Sequence, residues 1–230
     1  MLPAMDVDEA LAEVRRLARP GGIEGMARFG IRPAHPLGVG VTDLRGLARR
    51  IRRNHALALE LWDTGIHEAR ILATLLADPQ QVTPELMDAW IEQFDAWDLC
   101  DQACGNLFVR TPWARDKALE WSRREPEFEK RAGFALMASL AVHDKRAKDT
   151  AFTRFLLAIE RESDDDRNFV RKAVNWALRQ IGKRNPVLNA RAIEYARRIE
   201  ARGTRASRWI ARDALRELES EAVRKRLRPR

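Results

Sequence analysis

Helical periodicity runs through most of this chain and restricts its fold more than any other feature. Apolar residues recur at intervals of three and four from Ile66 to Leu76 and from Phe128 to Val142, which is typical of amphipathic helices. No stretch alternates apolar and polar side chains for long enough to predict a strand. Prolines fall between the periodic segments, where helices are expected to end or begin. The sequence therefore predicts an all-α fold.

From about residue 54 the predicted helices come in pairs, repeating at about 29 to 41 residues, the size of one unit of a helical repeat array. The clearest internal match aligns Ala-Leu-Arg at 177–179 with the same tripeptide at 214–216. We expect an α-solenoid, a curved stack of antiparallel helix pairs, with a compact helical bundle as the alternative. The predicted pairs are 54–62 with 66–77, 83–94 with 98–109, 113–122 with 127–143, 150–161 with 167–182, and 187–201 with 205–219.

The whole chain, residues 1–230, is interpreted as a single domain with an irregular glycine- and proline-rich connection at 19–41. It lacks a run of eighteen apolar residues, so we expect no membrane partner. Its acidic start is unlike a secretory or mitochondrial leader, and two cysteines cannot form a disulfide framework. A soluble cytoplasmic protein is the resulting expectation.

Positive charge is concentrated towards the C-terminus. Residues 150–230 carry 21 basic and 11 acidic side chains, whereas residues 1–149 carry 21 basic and 23 acidic ones. This distribution is typical of a polyanion-binding protein. The alternative is a solvated helical surface that is rich in arginine.

Three segments carry candidate functional residues. Trp97 and Asp101 are four residues apart on a predicted helix, so an indole and a carboxylate share one face and could hold a cationic group. The alternative is that Asp98 caps this helix, Trp97 packs in the core and Asp101 is solvated. Arg131 lies in a strongly apolar helix, where an arginine is expected to pair with a carboxylate or to face a ligand.

The third segment, 169–179, mixes basic and aromatic residues as phosphate-binding and base-stacking surfaces do. Trp176 and Arg179 are three residues apart and share a face of the predicted helix. The three aspartates at 164–166 are expected to cap this helix. The cysteines, histidines and glycines lack the spacing of a metal site or a nucleotide-binding loop. We therefore predict no metal and no nucleotide cofactor.

Several short motifs resemble the bacterial DNA alkylation repair (AlkD-like) family of HEAT-repeat DNA glycosylases. They come in the family's order and span nearly the whole chain. The motifs are Met-Ala-Arg-Phe at 26–29, Pro-Leu-Gly-Val at 36–39, Trp-Asp-x-x-Asp at 97–101, Lys-Arg-Ala at 130–132, and Phe-Val-Arg-Lys-Ala-x-x-Trp-Ala-Leu-Arg at 169–179.

The resemblance implies a HEAT-like solenoid whose basic concave face holds duplex DNA containing alkylated bases. It implies excision of positively charged N3- or N7-alkylated purines by cleavage of the N-glycosidic bond. Asp101 would be the catalytic carboxylate, with Trp97 and Arg131 in the catalytic site. The implied DNA-binding residues, together with basic residues that we add from the charge pattern, are Phe29, Arg171, Lys172, Trp176, Arg179, Arg208 and Arg212.

Phe29 stands where the family carries a tyrosine, so a hydroxyl contact is lost there. The resemblance leaves open a non-catalytic relative that binds damaged or branched DNA, and a protein-interaction scaffold is a third hypothesis. We expect a monomer that works at the nucleoid.

Overall fold

The computed structural model describes residues 5–227. These residues contain fourteen α-helices, one 3-10 turn at Phe108–Arg110 and no strand, so the all-α prediction is confirmed. The helices are α1 Val7–Arg16, α2 Gly22–Arg28, α3 Val41–Ile51, α4 His55–Asp63, α5 His67–Leu76, α6 Pro84–Ile91, α7 Trp97–Asn106, α8 Ala114–Trp121, α9 Glu127–His143, α10 Asp149–Arg161, α11 Asn168–Gly182, α12 Pro186–Ala201, α13 Arg205–Leu218 and α14 Glu221–Leu227.

The described residues form two compact units, one ending at Thr111 and the other beginning at Pro112. In the first unit, α5 packs against α3, α4 and α7. The indoles of Trp62 and Trp90 lie parallel in its core, with their centroids 3.9 Å apart. The guanidinium of Arg70 lies 5.3 Å from the Trp62 ring centroid, so this stack also carries a cation–π contact.

The second unit is built from successive helices that pack in pairs, α8 with α9, α10 with α11, and α12 with α13. The second helices also pack on one another, α9 on α11 and α11 on α13. Gly133 allows the backbones of α8 and α9 to approach closely, because a Cβ at this position would lie 2.5 Å from the backbone nitrogen of Ser122.

The last two helix pairs repeat at a constant distance along the chain. α10 and α12 begin 37 residues apart, and so do α11 and α13. At the same offset, buried Val170, Ala173, Val174, Ala177 and Ile181 correspond to buried Ser207, Ile210, Ala211, Ala214 and Leu218. The predicted alignment of 177–179 with 214–216 is therefore confirmed.

Several polar contacts between these two repeats join residues that are 38 apart, one more than the repeat length. In the first helices, Glu160 accepts from Arg198 at 2.8 Å, and Thr153 accepts from Arg191 at the same distance. In the second helices, Asn175 donates to Asp213 at 2.7 Å. Each side chain thus contacts a residue of the other repeat that is offset by one position from its own equivalent there.

Two local predictions are wrong. The connection at 19–41 contains a short helix, α2, because Gly22 fits against the backbone of Gly38, where a Cβ would lie 2.2 Å from the Gly38 carbonyl oxygen. The three aspartates at 164–166 do not cap α11, whose N-cap is Arg167 without a side-chain cap. They bind arginines instead, with Asp164 accepting from Arg202 and Asp166 from Arg171, because hydrogen bonds to a charged partner are stronger than those to a neutral one.

Candidate functional site

Trp97 and Asp101 lie one turn apart at the start of α7, and both are half-buried. The indole nitrogen of Trp97 donates to the carbonyl oxygen of Phe29 at 3.0 Å. This bond fixes the orientation of the ring from a segment distant in sequence. Phe29 itself turns its side chain outwards and is 75% exposed. The first unit therefore brings together three of the predicted site residues, Phe29, Trp97 and Asp101.

Asp98 does not cap α7, so that part of the alternative interpretation is wrong. The N-cap is Ala96, without a side-chain hydrogen bond, and Asp98 is buried. Its carboxylate lies 2.9 Å from Nε2 of His67, which is 2% exposed at the start of α5. Nδ1 of His67 and the second oxygen of Asp98 have no hydrogen-bond partner among residues 5–227. The pair attaches the first turn of α7, which carries Trp97, to α5.

The segment that supplies the Phe29 carbonyl is held by carboxylates. Asp95 accepts from the backbone N–H of Ala34 at 2.9 Å. Glu68, which is fully buried, accepts from the N–H groups of Leu37 and Gly38 at 2.8 and 2.7 Å and from Val39 at 3.2 Å. Three charge-assisted bonds offset the desolvation of its carboxylate.

Sequence reasoning missed Glu68 and His67. A signal for Glu68 was present, because it precedes Ile71, Leu72 and Leu75 by three, four and seven residues and so lies on the apolar face of its helix. An acid on such a face is expected to have a buried partner. Which backbone groups it would bind could not be read from the spacing.

Arg131 is buried in α9 of the second unit. Its guanidinium donates to the backbone carbonyl of Phe169 at 2.7 Å, so it ties α9 to the first turn of α11. The neighbouring Lys130 is also buried and donates to Glu162 at 2.8 Å. Both cations therefore join α9 to neighbouring parts of the unit, Arg131 to α11 and Lys130 to the residue that follows α10.

On α11, Arg171, Trp176 and Arg179 are half-buried and Lys172 is exposed. Arg179 donates to Glu217 at 2.5 Å and lies 3.7 Å from Asp213, so much of its charge is shared with α13. Burial alone would raise the pKa of Glu217, but the hydrogen bonds from Lys183 and Arg179 outweigh it and lower the pKa below its usual value. Glu217 is therefore ionised at neutral pH.

Exposed Arg208 and Arg212 lie on α13. They line an open groove with Arg205, Trp209, Asp213 and Arg216. The spacing of these residues, three or four apart, places them along one side of the helix. Among the predicted DNA-binding residues of the second unit, Lys172, Arg208 and Arg212 are thus the ones that present their charge to solvent.

Two kinds of structural feature are absent from the described part of the chain, a membrane-spanning helix and a metal-binding cluster. Between residues 5 and 227, no helix is both long enough and apolar enough to cross a membrane. The same residues contain no cluster of three or more histidine, cysteine, aspartate or glutamate side chains that could bind a metal ion.

Comparison with known proteins agrees with the family resemblance. A sequence profile described as "DNA alkylation repair enzyme" matches residues 10–218. An uncharacterised protein of Listeria innocua is 23% identical over 196 residues, covering 84% of this chain and 85% of its own. A solved structure, described as a new family of proteins related to the HEAT-like repeat DNA glycosylases with affinity for branched DNA structures, superimposes with a TM-score of 0.76. It is 22% identical, with 97% of this chain and 96% of that one covered, and this likeness identifies the HEAT-like repeat fold.

Proposed function

Because the chain belongs to the DNA alkylation repair enzyme family, we propose that it is a DNA glycosylase that removes positively charged N3- or N7-alkylated purines from duplex DNA. The observation that carries the proposal is the arrangement on α7. A half-buried indole, oriented by the Phe29 carbonyl, lies one turn from the half-buried carboxylate of Asp101. An anion and a π-face on one side of a helix suit a reaction that develops positive charge.

The chemistry needs few groups. A cationic alkylpurine departs as a neutral base when the C1′–N bond breaks, and it takes the bonding electron pair with it. The sugar becomes oxocarbenium-like, and the carboxylate of Asp101 and the ring of Trp97 stabilise its charge. Water then adds to C1′, and Asp101 accepts the proton that the water loses. No general acid is required, so we expect charged lesions to be released and neutral ones such as uracil to be retained.

The remaining roles follow the family resemblance and the charge pattern. Trp176 would contact the DNA beside the lesion, and Arg131 would hold α11 in place through its bond to the first turn of that helix. Lys172, Arg208 and Arg212 would contact DNA phosphates, since their side chains are exposed. Arg171 and Arg179 would contribute mainly by positioning α13, because Arg171 lies over the ring of Trp209 and Arg179 binds Glu217. We further propose that the protein acts as a monomer at the nucleoid and binds DNA through basic side chains.

The test is release of 7-methylguanine from methylated duplex DNA, with Asp101→Asn as the decisive variant. The substitution is nearly isosteric but removes the negative charge. We expect the rate of release to fall by about 100-fold or more, the size of effect that follows loss of one electrostatic group from such a site, while duplex affinity stays within about twofold.

Asp63→Asn is the matched control, because Asp63 is exposed at the end of α4. It should release the base at the wild-type rate, and the melting temperatures of both variants should be compared. Undiminished release by a folded Asp101→Asn protein would remove Asp101 from its proposed role.

A second candidate is a DNA-structure-binding protein that does not excise bases. It is favoured by the likeness to a structure described as having affinity for branched DNA and by the exposed arginines on α13. No release of 7-methylguanine by the wild type, together with tight binding of a branched DNA, would support this candidate over the glycosylase.

A further inference from the structure

An exposed tryptophan lies among the arginines of α13. Trp209 is 37% exposed, although most large apolar side chains of this unit are buried. It lines the open groove described above, in which every other residue is charged. An aromatic ring in a basic groove is the combination used to bind single-stranded nucleic acid, in which bases stack on the ring and phosphates contact the cations.

The ring of Trp209 is held in place by its neighbours. The guanidinium of Arg171 lies 4.7 Å from the ring centroid, a cation–π contact from the adjacent helix α11. Arg171 is in turn held by Asp166, which accepts from it at 3.2 Å. Trp209 is thus supported by another helix, and a supported ring loses little conformational entropy when a base stacks on it.

The arginines around Trp209 leave positive charge in the groove. Arg205 and Arg208 form no ion pair with any of residues 5–227. Arg212 has a long contact of 3.7 Å with Glu200, and Arg216 is paired with Asp213. The groove therefore favours a polyanion, and its charges follow α13 for about 16 Å from Arg205 to Arg216, given a rise of about 1.5 Å per residue.

We propose that Trp209 is a stacking site for an unpaired base, and that the arginine groove of α13 binds the backbone of a single-stranded DNA segment next to a duplex. Bases within a duplex are already stacked on one another, so a protein ring can stack only on a base that is unpaired or displaced. The preferred ligand would then be DNA with a single-stranded arm, such as a fork. This inference rests on the DNA binding in the proposed function but not on base excision.

The experiment compares two fluorescein-labelled DNAs by anisotropy, a blunt duplex and the same duplex with a single-stranded arm. The wild type should bind the armed duplex more tightly. Trp209→Ala should weaken binding of the armed duplex by about fivefold or more, the loss expected for one stacked base, and binding of the blunt duplex by less than about twofold. Trp209→Phe should retain most of the preference because it keeps an aromatic ring.

Trp113→Ala is the matched control. Trp113 is 42% exposed at the N-cap of α8, and its removal should leave both affinities unchanged. A 2-aminopurine placed in the arm gives a second measurement, because stacking quenches its fluorescence. The quenching should be seen with the wild type and Trp209→Phe and be lost with Trp209→Ala.

Equal loss of affinity for the two DNAs in folded Trp209→Ala, or no loss for either, would overturn the inference while leaving the glycosylase proposal standing. If the wild type binds neither DNA and releases no 7-methylguanine, both proposals fail. Release of the base without a preference for the arm would remove only the stacking site.

Discussion

At the scale of single residues, Glu68 shows how a buried charge can organise a loop. Its carboxylate accepts three consecutive backbone N–H groups, from Leu37 to Val39. The loop lacks regular secondary structure, so these donors would otherwise be left without partners in a buried place. One side chain therefore satisfies the polar groups of the segment that leads away from Phe29.

Replacing Glu68 with glutamine tests this role. The amide keeps one accepting oxygen but places an NH2 group opposite a backbone donor, so at least one bond is lost and the others lose the negative charge. We expect the free energy of unfolding to fall by about 1–3 kcal/mol, the usual cost of an unsatisfied buried group. Denaturant titration measures it.

Glu60→Gln serves as the control, because Glu60 is exposed on α4 and the substitution is chemically the same. Its effect should stay within about 0.5 kcal/mol. Equal stability of the Glu68 and Glu60 variants would show that the charge of Glu68 is not needed to hold the loop.

At the scale of secondary-structure elements, α2 forms where the sequence argues against a helix. Gly22 and Gly25 both lie within its seven residues, and glycine lowers helix propensity. The helix is stabilised by its contact with Gly38, which has a φ of 81° and lies against the backbone of Gly22. Tertiary packing therefore overrides the local preference of the segment.

The two glycines of α2 provide a matched test. Alanine at position 22 would place its Cβ 2.2 Å from the carbonyl oxygen of Gly38, whereas alanine at position 25 has no neighbour within 4 Å. Gly22→Ala is expected to lower the free energy of unfolding by about 1–3 kcal/mol through the forced backbone shift. Gly25→Ala should raise it by about 0.5–1 kcal/mol.

Both effects can be read from urea denaturation midpoints at constant slope. Because both substitutions lie in one helix, their difference isolates the contact between Gly22 and Gly38. A Gly22→Ala protein as stable as Gly25→Ala would contradict the close approach of α2 to the loop.

The sequence predicted elements well wherever local signals were sufficient. Periodicity and proline positions predicted the helix 127–143 with the bounds found for α9, and the Ala-Leu-Arg match predicted the 37-residue relation of α11 and α13. They did not predict α2, because its stability depends on Gly38, which is distant in the chain.

The candidate site divides in the same way. Helical spacing was sufficient to place Trp97 and Asp101 on one face of α7. It could not show that Arg179 is neutralised by Glu217, nor that His67 holds Asp98, because each partner is at least 31 residues away in sequence and only the packed helices bring them together.

At the scale of the whole molecule, the excess of arginine is partly balanced by aspartates and glutamates with lowered pKa values. The hydrogen bond from Arg202 is the main cause that lowers the pKa of Asp164, and Thr204 adds to it. For Asp165, burial raises the pKa, but the hydrogen bonds from Arg167 outweigh that effect and lower it. Acid should therefore weaken the second unit through these carboxylates.

The direction follows from linkage. A carboxyl whose pKa is lower in the folded state stabilises that state fully above its unfolded pKa, about 4, and the contribution is lost as the pH falls through the folded value. We expect Arg202→Gln to lower the melting temperature at pH 7 and to have a smaller effect near pH 3. Since Asp164 and Arg202 are partly exposed, the contribution at pH 7 should be below about 1 kcal/mol.

Arg208→Gln is the comparison, because Arg208 has no carboxylate partner among the described residues. Because no paired carboxylate is protonated between pH 7 and pH 3, the change in melting temperature caused by Arg208→Gln should be the same at both pH values. A decrease for Arg202→Gln that is the same at pH 3 and pH 7 would show that the ion pair with Asp164 does not contribute to acid sensitivity.

The hydrogen bond that orients Trp97 ends on the main chain of Phe29, not on its side chain. Every amino acid supplies the same carbonyl oxygen, so exchanging a tyrosine for a phenylalanine at this position leaves the bond intact. Residue 29 is thus free to vary in the chemistry that it offers to solvent while the indole keeps its orientation. Under the function proposed above, single substitutions at residue 29 would alter the surface next to the site while leaving α7 unchanged.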